Sequence, residues 1–333
     1  MLVGSSNRLA GRTLADLAFA LLLAFGATAA VALDYPTRPI TLIVSHVSGG
    51  PSDVIARVLS SMLAPVLHQP LVIENRPGAG GSIAAEQAAH AAPDGYTLLM
   101  GNTSILATGS ARRKSVGFDP QLDFTPITLL GLQANVLVVH PALPAASLEQ
   151  LIELARAKPG FLTFASSGHG SPAHLAGELF KIEAKADLIH VPYKKPGPAL
   201  QDVVGGHVQM MFAPAALVAN QVRAGRLRAL AVATIRRNAL LPGVATIDEL
   251  GHPGFDATTW YGLVAPAGTP KEIVDLLHHS AAAVIEDPAA RKIMSGLGID
   301  VVGSSPREFE TYIKAEIPKW AAVIKSITAY THD

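Results

Sequence analysis

The chain has no cysteine among its 333 residues. That removes disulfide staples, thiolate nucleophiles and thiolate metal ligands together, and leaves no thiol to carry a lipid. Neither charge is in excess, with 26 Lys plus Arg against 26 Asp plus Glu. No whole-molecule field therefore draws it to nucleic acid or to an anionic membrane. Long apolar runs are missing too. The longest, residues 17–32 (LAFALLLAFGATAAVA), has about 16 residues where a membrane-crossing helix needs roughly 20. Also missing are the Gly-x-Ser-x-Gly elbow of hydrolases and the His-Glu-x-x-His of zinc proteases, which takes away the commonest local signatures of both.

What is present begins with Arg8 and Arg12, the apolar run, and the small-x-small triplet Ala30-Val31-Ala32. These are the three parts of a secretory signal peptide, with cleavage expected after Ala32. An exported chain without disulfides must hold itself together by burial. About 300 residues after cleavage suffice for that, and two domains are the expectation at this length. Hydrophobic content of 49% supports it. The 24 prolines and 29 glycines fall between periodic segments and punctuate a fold.

Periodicity predicts a strand at 40–44 and a helix carrying Val54, Ile55, Val58, Leu59, Met62, Leu63 and Val66. A strand at 71–73, a helix at 82–91 and a strand at 96–100 follow. Repeated β-α-β order predicts parallel strands with helical crossovers, hence an α/β class. Two apolar runs at 127–140 read as a strand leaving the first unit. A second β-α series then occupies 147–233. The chain returns through a strand at 258–264, a helix to 285, and a last helix at 307–327 whose Phe309, Tyr312, Ile313, Ile317, Trp320 and Ile324 form one face packed on the first unit. The expected domains are 33–135 with 258–333, and 136–257, able to close about a hinge.

Ligands of open parallel sheets bind where strands end and helices begin, and three loops have that position. In the first, His46, Val47, Ser48, Gly49, Gly50, Ser52 and Asp53 precede a helix whose N-terminus favours an anion. For Ser52 and Asp53 the competing reading is helix capping. The second is Ser166, Ser167, Gly168, Gly170, Ser171 and His174, a candidate anion cradle facing the first. Its Gly168-x-Gly170-x-x-Ala173 resembles a dinucleotide fingerprint, but Pro172 interrupts it and only Asp187 follows. The third, Asn102, Thr103 and Ser104, either supplies hydrogen bonds or merely turns the chain. No metal site is expected: His169 and His174 are five apart, poor for one helix face, and His190 reads as a core histidine. No cofactor is expected either.

Several segments carry a family likeness: Tyr35-Pro36-x-Arg38-Pro39-Ile40, Gly49-Gly50-x-x-Asp53-x-x-Ala56-Arg57, Glu74-Asn75-Arg76-Pro77-Gly78-Ala79-Gly80-Gly81 and Pro93-Asp94-Gly95-Tyr96-Thr97. So do His174-Leu175-Ala176-Gly177-Glu178, His190-Val191-Pro192-Tyr193-Lys194 and Trp260-Tyr261-Gly262-Leu263-Val264-Ala265-Pro266. The chain resembles the solute-binding receptors of tripartite tricarboxylate transporters, the Bug family. The resemblance implies the type II periplasmic-binding fold, two α/β lobes joined by two crossing strands. It also implies a periplasmic monomer that holds a small carboxylate through loops 46–53 and 166–171, and as partner a permease of one large and one small membrane subunit. Where such receptors usually have an aromatic residue and prolines, this chain has His46-Val47-Ser48. After Tyr193-Lys194, Lys195 replaces a usual glycine, and Ala213 replaces a usual aspartate. Added positive groups and one fewer carboxylate would favour a more anionic ligand.

The expected function is therefore capture of a small organic anion and its delivery to a secondary transporter, without catalysis. A sensor that presents its liganded form to a membrane signalling protein is the alternative. A serine hydrolase using Ser166 or Ser167 is a distant third.

Overall fold

Two β-sheets, with the chain crossing twice between them, organise the protein. The computed structural model describes residues 34–109 and 116–330; the expected leader at 1–32 lies outside them. The first pass alternates β1 (Ile40–Val44), α1 (Pro51–Leu67), β2 (Leu71–Asn75), α2 (Ser82–Ala89) and β3 (Thr97–Asn102). Strand β1 pairs in parallel with both β2 and β3. Four of its five residues are fully buried, which is why it reads as an unbroken apolar run with no alternation. Helix α1 turns Ile55, Leu59 and Leu63 inward, at the four-residue spacing that makes one face of a helix.

β4 (Phe124–Gln133) runs into β5 (Asn135–Val139) with Ala134 alone between them, yet the two strands belong to different sheets. The second series is α3 (Leu148–Ala157), β6 (Thr163–Ser166), α4 (Pro172–Ala184), β7 (Ile189–Pro192), α5 (Pro196–Val204), β8 (Met210–Pro214), α6 (Ala215–Arg223) and β9 (Arg228–Val232). It forms a sheet in the order β7-β6-β8-β5-β9. β6 is parallel to β7 and β8, whereas β5 is antiparallel to β8 and β9. β10 (Thr259–Pro266) then returns to the first sheet, which is completed by β11 (Ile299–Val301) and ordered β11-β4-β10-β3-β1-β2, with β10 antiparallel to β3 and β4. Both sheets belong to one compact unit from Pro36 onward. The α/β class with two sheets and two crossings matches the expected fold.

After α7 (Lys271–Glu286), the short α8 (Pro288–Gly296) and β11 (Ile299–Val301) add an edge strand beside β4. Neither element was expected. The start signal was nevertheless present: Asp287 accepts hydrogen bonds from the Ala289 and Ala290 N–H groups, with Pro288 at the first helical position. Only Ala290 and Met294 of α8 are buried, too few to show a period.

The last helix, α9 (Pro306–Tyr330), buries Phe309, Ile313 and Trp320. It packs on β4 as expected, and in addition it touches α4 of the second sheet. The buried Glu316 carboxylate accepts hydrogen bonds from both Trp260 Nε1 (3.0 Å) and Trp320 Nε1 (2.8 Å). An unpaired carboxylate there would be costly, so these bonds, with Lys319 close by, anchor α9. Among the described residues no helix is long and apolar enough to cross a membrane.

Candidate ligand site

Strand registers bring the first two candidate loops to the same end of the molecule. In the first sheet Val44 lies level with Met100, Asn102 with Tyr261, and Thr259 with Gln133. The C-terminal end of β1 is thus the end from which β4 leaves for the second sheet. There, Asn135 is level with Pro214, and Met211 with Ala165, so the C-terminal end of β6 also meets the crossing. Loops 45–50 and 166–171 therefore flank the junction, where open α/β sheets take ligands.

The first loop is built around Asp53. Its side chain is 1% exposed, and it accepts from the Gly49 N–H (2.9 Å), Arg57 Nε (2.8 Å), Arg57 Nη2 (3.0 Å) and Asn75 Nδ2 (2.8 Å). Burial alone would raise its pKa, but the hydrogen bonds from Arg57, Gly49 and Asn75 hold it below the usual carboxylate range. Asn75 also donates to the His46 carbonyl (2.9 Å), tying β2 to the loop. Asp53 is thus consumed inside the loop and is not free to meet a ligand.

Ser52 is not the cap that its position suggested. Helix α1 starts at Pro51 with Gly50 as N-cap and no side chain closing it, so the first-turn N–H groups keep their partial positive charge. The buried Ser52 hydroxyl lies 3.5 Å from Asn102 Nδ2. Gly49, at φ +80, has nothing within 4 Å of where a Cβ would sit. Glycine is there for the backbone turn alone. Val47 and Ser48 are exposed, and His46 is half-buried, with its pKa lowered by burial.

The third loop is not open. Thr103 and Ser104 enter a π-helical turn (Thr103–Ala107), which Asn102 caps by accepting from the Ile105 N–H (3.2 Å). Thr103 Oγ1 accepts from the Trp260 N–H at 3.0 Å, and all three residues are buried. The Asn102 and Thr103 hydrogen bonds tie this turn to itself and to β10, the structural one of the two readings that the sequence left open.

The second loop closes on itself. The Ser166 hydroxyl accepts from the Gly168 N–H (3.0 Å), the Gly170 N–H donates to His174 Nδ1 (3.1 Å), and the Ser171 N–H donates to the Gly168 carbonyl (3.2 Å). The Ser171 hydroxyl caps α4 by accepting from the His174 N–H (3.3 Å). Three N–H groups expected to face an anion are thus hydrogen-bonded within the loop and its helix. Ser167 remains half-buried at the loop's turn.

Ser166 also lies 2.7 Å from His190 Nε2, the nucleophile-and-base spacing of a hydrolase. The serine is fully buried, however, and its hydroxyl is already shared with Gly168. The pair staples β6 to β7. The Tyr193 hydroxyl donates to Asp202 Oδ2 (2.5 Å), and burial together with that carboxylate pushes its pKa up to about 12. Lys195 is exposed at the start of α5. Ala213 is fully buried in an apolar cluster with Val136, Ala165 and Val218. The position where the sequence lacks the usual carboxylate is therefore part of the apolar core.

Residues 55–329 match the family described as tripartite tricarboxylate transporter family receptor. The chain belongs to that family. Protein BugT of Bordetella pertussis is 38% identical over 306 residues, covering 91% of this chain and 94% of BugT. Among solved structures, an R. palustris protein with adipate is 37% identical with a TM-score of 0.78, covering 88% of this receptor and 98% of that chain. MatC from Rhodopseudomonas palustris with bound malate is 33% identical with a TM-score of 0.77, covering 87% and 100%. The family is one of solute-binding receptors, not of enzymes.

One grouping in this receptor had no signal in residue spacing. His169 in the second loop, His174 on α4 and His190 on β7 come together, their ligand nitrogens all within 4.8 Å of one another. The register that sets Phe164 beside His190 stacks the two rings at 4.9 Å. Gly177 lets α4 close on Phe164, since a Cβ there would lie 2.3 Å from the ring. That approach puts the His174 and His190 rings 4.0 Å apart. Burial, helped by the neighbouring histidines and Lys181, lowers His174 to about 3; burial, His169 and Lys181 lower His190 to about 4.

Proposed function

We propose that the protein is a periplasmic receptor that captures a small organic dicarboxylate at the junction of its two sheets and delivers it to a two-subunit membrane permease. The observation that carries this reading is the pair of relatives holding adipate and malate, each aligned with nearly the whole described chain. Both ligands are dicarboxylates, of different length. The uncapped start of α1 supports the same reading: it offers N–H groups and helix-end charge to one carboxylate, while the other end reaches loop 166–171. The first sheet with its helices forms one lobe and the second sheet with its helices the other, and closure takes place about the crossings at Ala134 and 233–258.

Thermal shift of the purified protein against a panel of mono-, di- and tricarboxylates tests capture. A ligand at 100 times its Kd adds about 2.7 kcal/mol by mass action, so at least one dicarboxylate raises the melting temperature by several degrees. A panel without a stabilising member overturns the reading. Delivery is tested by uptake of the labelled ligand in a strain deleted for this receptor, where uptake is lost and returns with the intact gene.

A further inference from the structure

We infer that His169, His174 and His190 form a binding site for one divalent transition-metal ion of the zinc class, on the second-sheet side of the junction. The inference goes beyond solute capture and does not rest on it. Three imidazoles from three different segments, a glycine-flanked loop, a helix and a strand, converge with their nitrogens within 4.8 Å of one another. Three protein donors with a fourth position left open is the usual ligand count of a reactive zinc site, and imidazole suits Zn²⁺, Ni²⁺, Co²⁺ and Cu²⁺ but not the hard ions Mg²⁺ and Ca²⁺.

The surroundings suit ligation. His174 presents Nδ1 toward the loop, where it accepts the Gly170 N–H, and its Nε2 lies 3.8 Å from the buried Glu178 carboxylate. The Nδ1 lone pair is taken by the Gly170 N–H, so ligation through Nδ1 exchanges that bond for the metal, with the Glu178 carboxylate near the opposite nitrogen. His190 is held through Nε2 by the Ser166 hydroxyl and stacked on Phe164, which leaves Nδ1 for ligation. His169 is the exposed third member, meeting the other rings edge-on at 5.4 and 4.9 Å. Tetrahedral zinc with bonds of about 2.1 Å needs donors roughly 3.4 Å apart, so the cluster must tighten. His169 lies between Gly168 (φ +117) and Gly170 (φ +73), and Gly170 has open space around it. The loop has the freedom to make that movement.

The test is competition for Zn²⁺ against a chromogenic chelator, with the protein free of any histidine tag and stripped of metal beforehand. Wild type binds one Zn²⁺ per chain with micromolar or tighter affinity, Mg²⁺ does not displace it, and Co²⁺ gives a tetrahedral visible spectrum. His169→Ala and His169→Gln, at an exposed loop position, keep the metal-free melting temperature and weaken zinc at least tenfold. His279→Ala, remote from the cluster on α7, leaves affinity unchanged. No zinc binding by wild type overturns the inference, as does equal binding by the His169 variants or a tenfold loss in His279→Ala. None of these outcomes depends on whether a carboxylate binds.

Discussion

The two loops at the junction solve the same positional problem with opposite chemistry. In the first, a buried Asp53 gathers four donors from Gly49, Arg57 and Asn75, and charge braces the backbone while the helix behind it stays uncapped. In the second, neutral imidazoles and serine hydroxyls do the bracing. Its helix is capped by Ser171, and three of its N–H groups are spent internally. A loop held by its side chains can keep its helix end open for an anion. A loop whose N–H groups and helix cap are already spent cannot, and it offers ring nitrogens instead.

Removing the brace of the first loop is expected to cost most. Asp53→Ala removes a buried acceptor that the Gly49 N–H and the Asn75 amide share, and leaves a hole at the start of α1. Arg57, about half-exposed, can turn to water. The loss is about 2–4 kcal/mol in urea unfolding, together with loss of ligand-induced stabilisation because the start of α1 loosens. Unchanged unfolding would show that the carboxylate network braces nothing.

Acid should separate the two loops. His174 and His190 titrate in the folded state near 3 and near 4, far below an unfolded histidine. The unfolded chain therefore binds protons first, and stability falls as pH drops from about 6.5 toward those values, by about 1.5 kcal/mol per histidine between pH 6.5 and 5. The groups facing His174 are His169, His190, Lys181 and Glu178. Asp53 is also depressed, but its contribution is intact above an unfolded carboxyl's pKa near 4 and is lost only below it. In metal-free buffer, His174→Gln should remove about one histidine's share of the loss between pH 6.5 and 5, and keep the His190 share and the loss below pH 4. An unaltered profile in the variant would mean the histidines carry no such linkage.

Much of this architecture was legible in the residues, because period and turn chemistry act locally. The parallel strands, their crossover helices and the inward face of α9 all announce themselves within a few turns of chain. Positions of the loops at strand ends followed from the same pattern. Three things did not. The burial of Ala213 and of Asn102 to Ser104 depends on which strand lies alongside, and that is a property of register. The saturation of Asp53 needs Asn75, which arrives from another strand 22 positions later. The histidine cluster needs β7 to pair with β6 and Gly177 to admit Phe164, contacts that no spacing within one helix reveals.

The capped helix of the second loop should respond mildly. Ser171→Ala removes an N-cap whose hydroxyl accepts from the His174 N–H at 3.3 Å, a loss of about 1 kcal/mol. The same change should leave the first loop, and the helix end assigned to the carboxylate, undisturbed. A drop in carboxylate affinity beyond what the stability loss explains would mean that Ser171 meets the ligand, and that the second loop is less self-contained than its hydrogen bonds indicate.

Smallest of all is the expected effect of Lys195→Ala. Its position at the start of α5 made it a candidate source of attraction for an anion, but the side chain is exposed and gives α5 no cap hydrogen bond. A flexible ammonium in water contributes little to a bound charge, since salt at 0.15 M screens it beyond about 8 Å. The dissociation constant for a stabilising dicarboxylate should change by less than about twofold, with no shift in melting temperature. A tenfold weakening that disappears in high salt would instead place Lys195 over the junction in the closed form. The segment between β7 and α5 would then attract the anion through a side chain, while the first loop does so through its backbone.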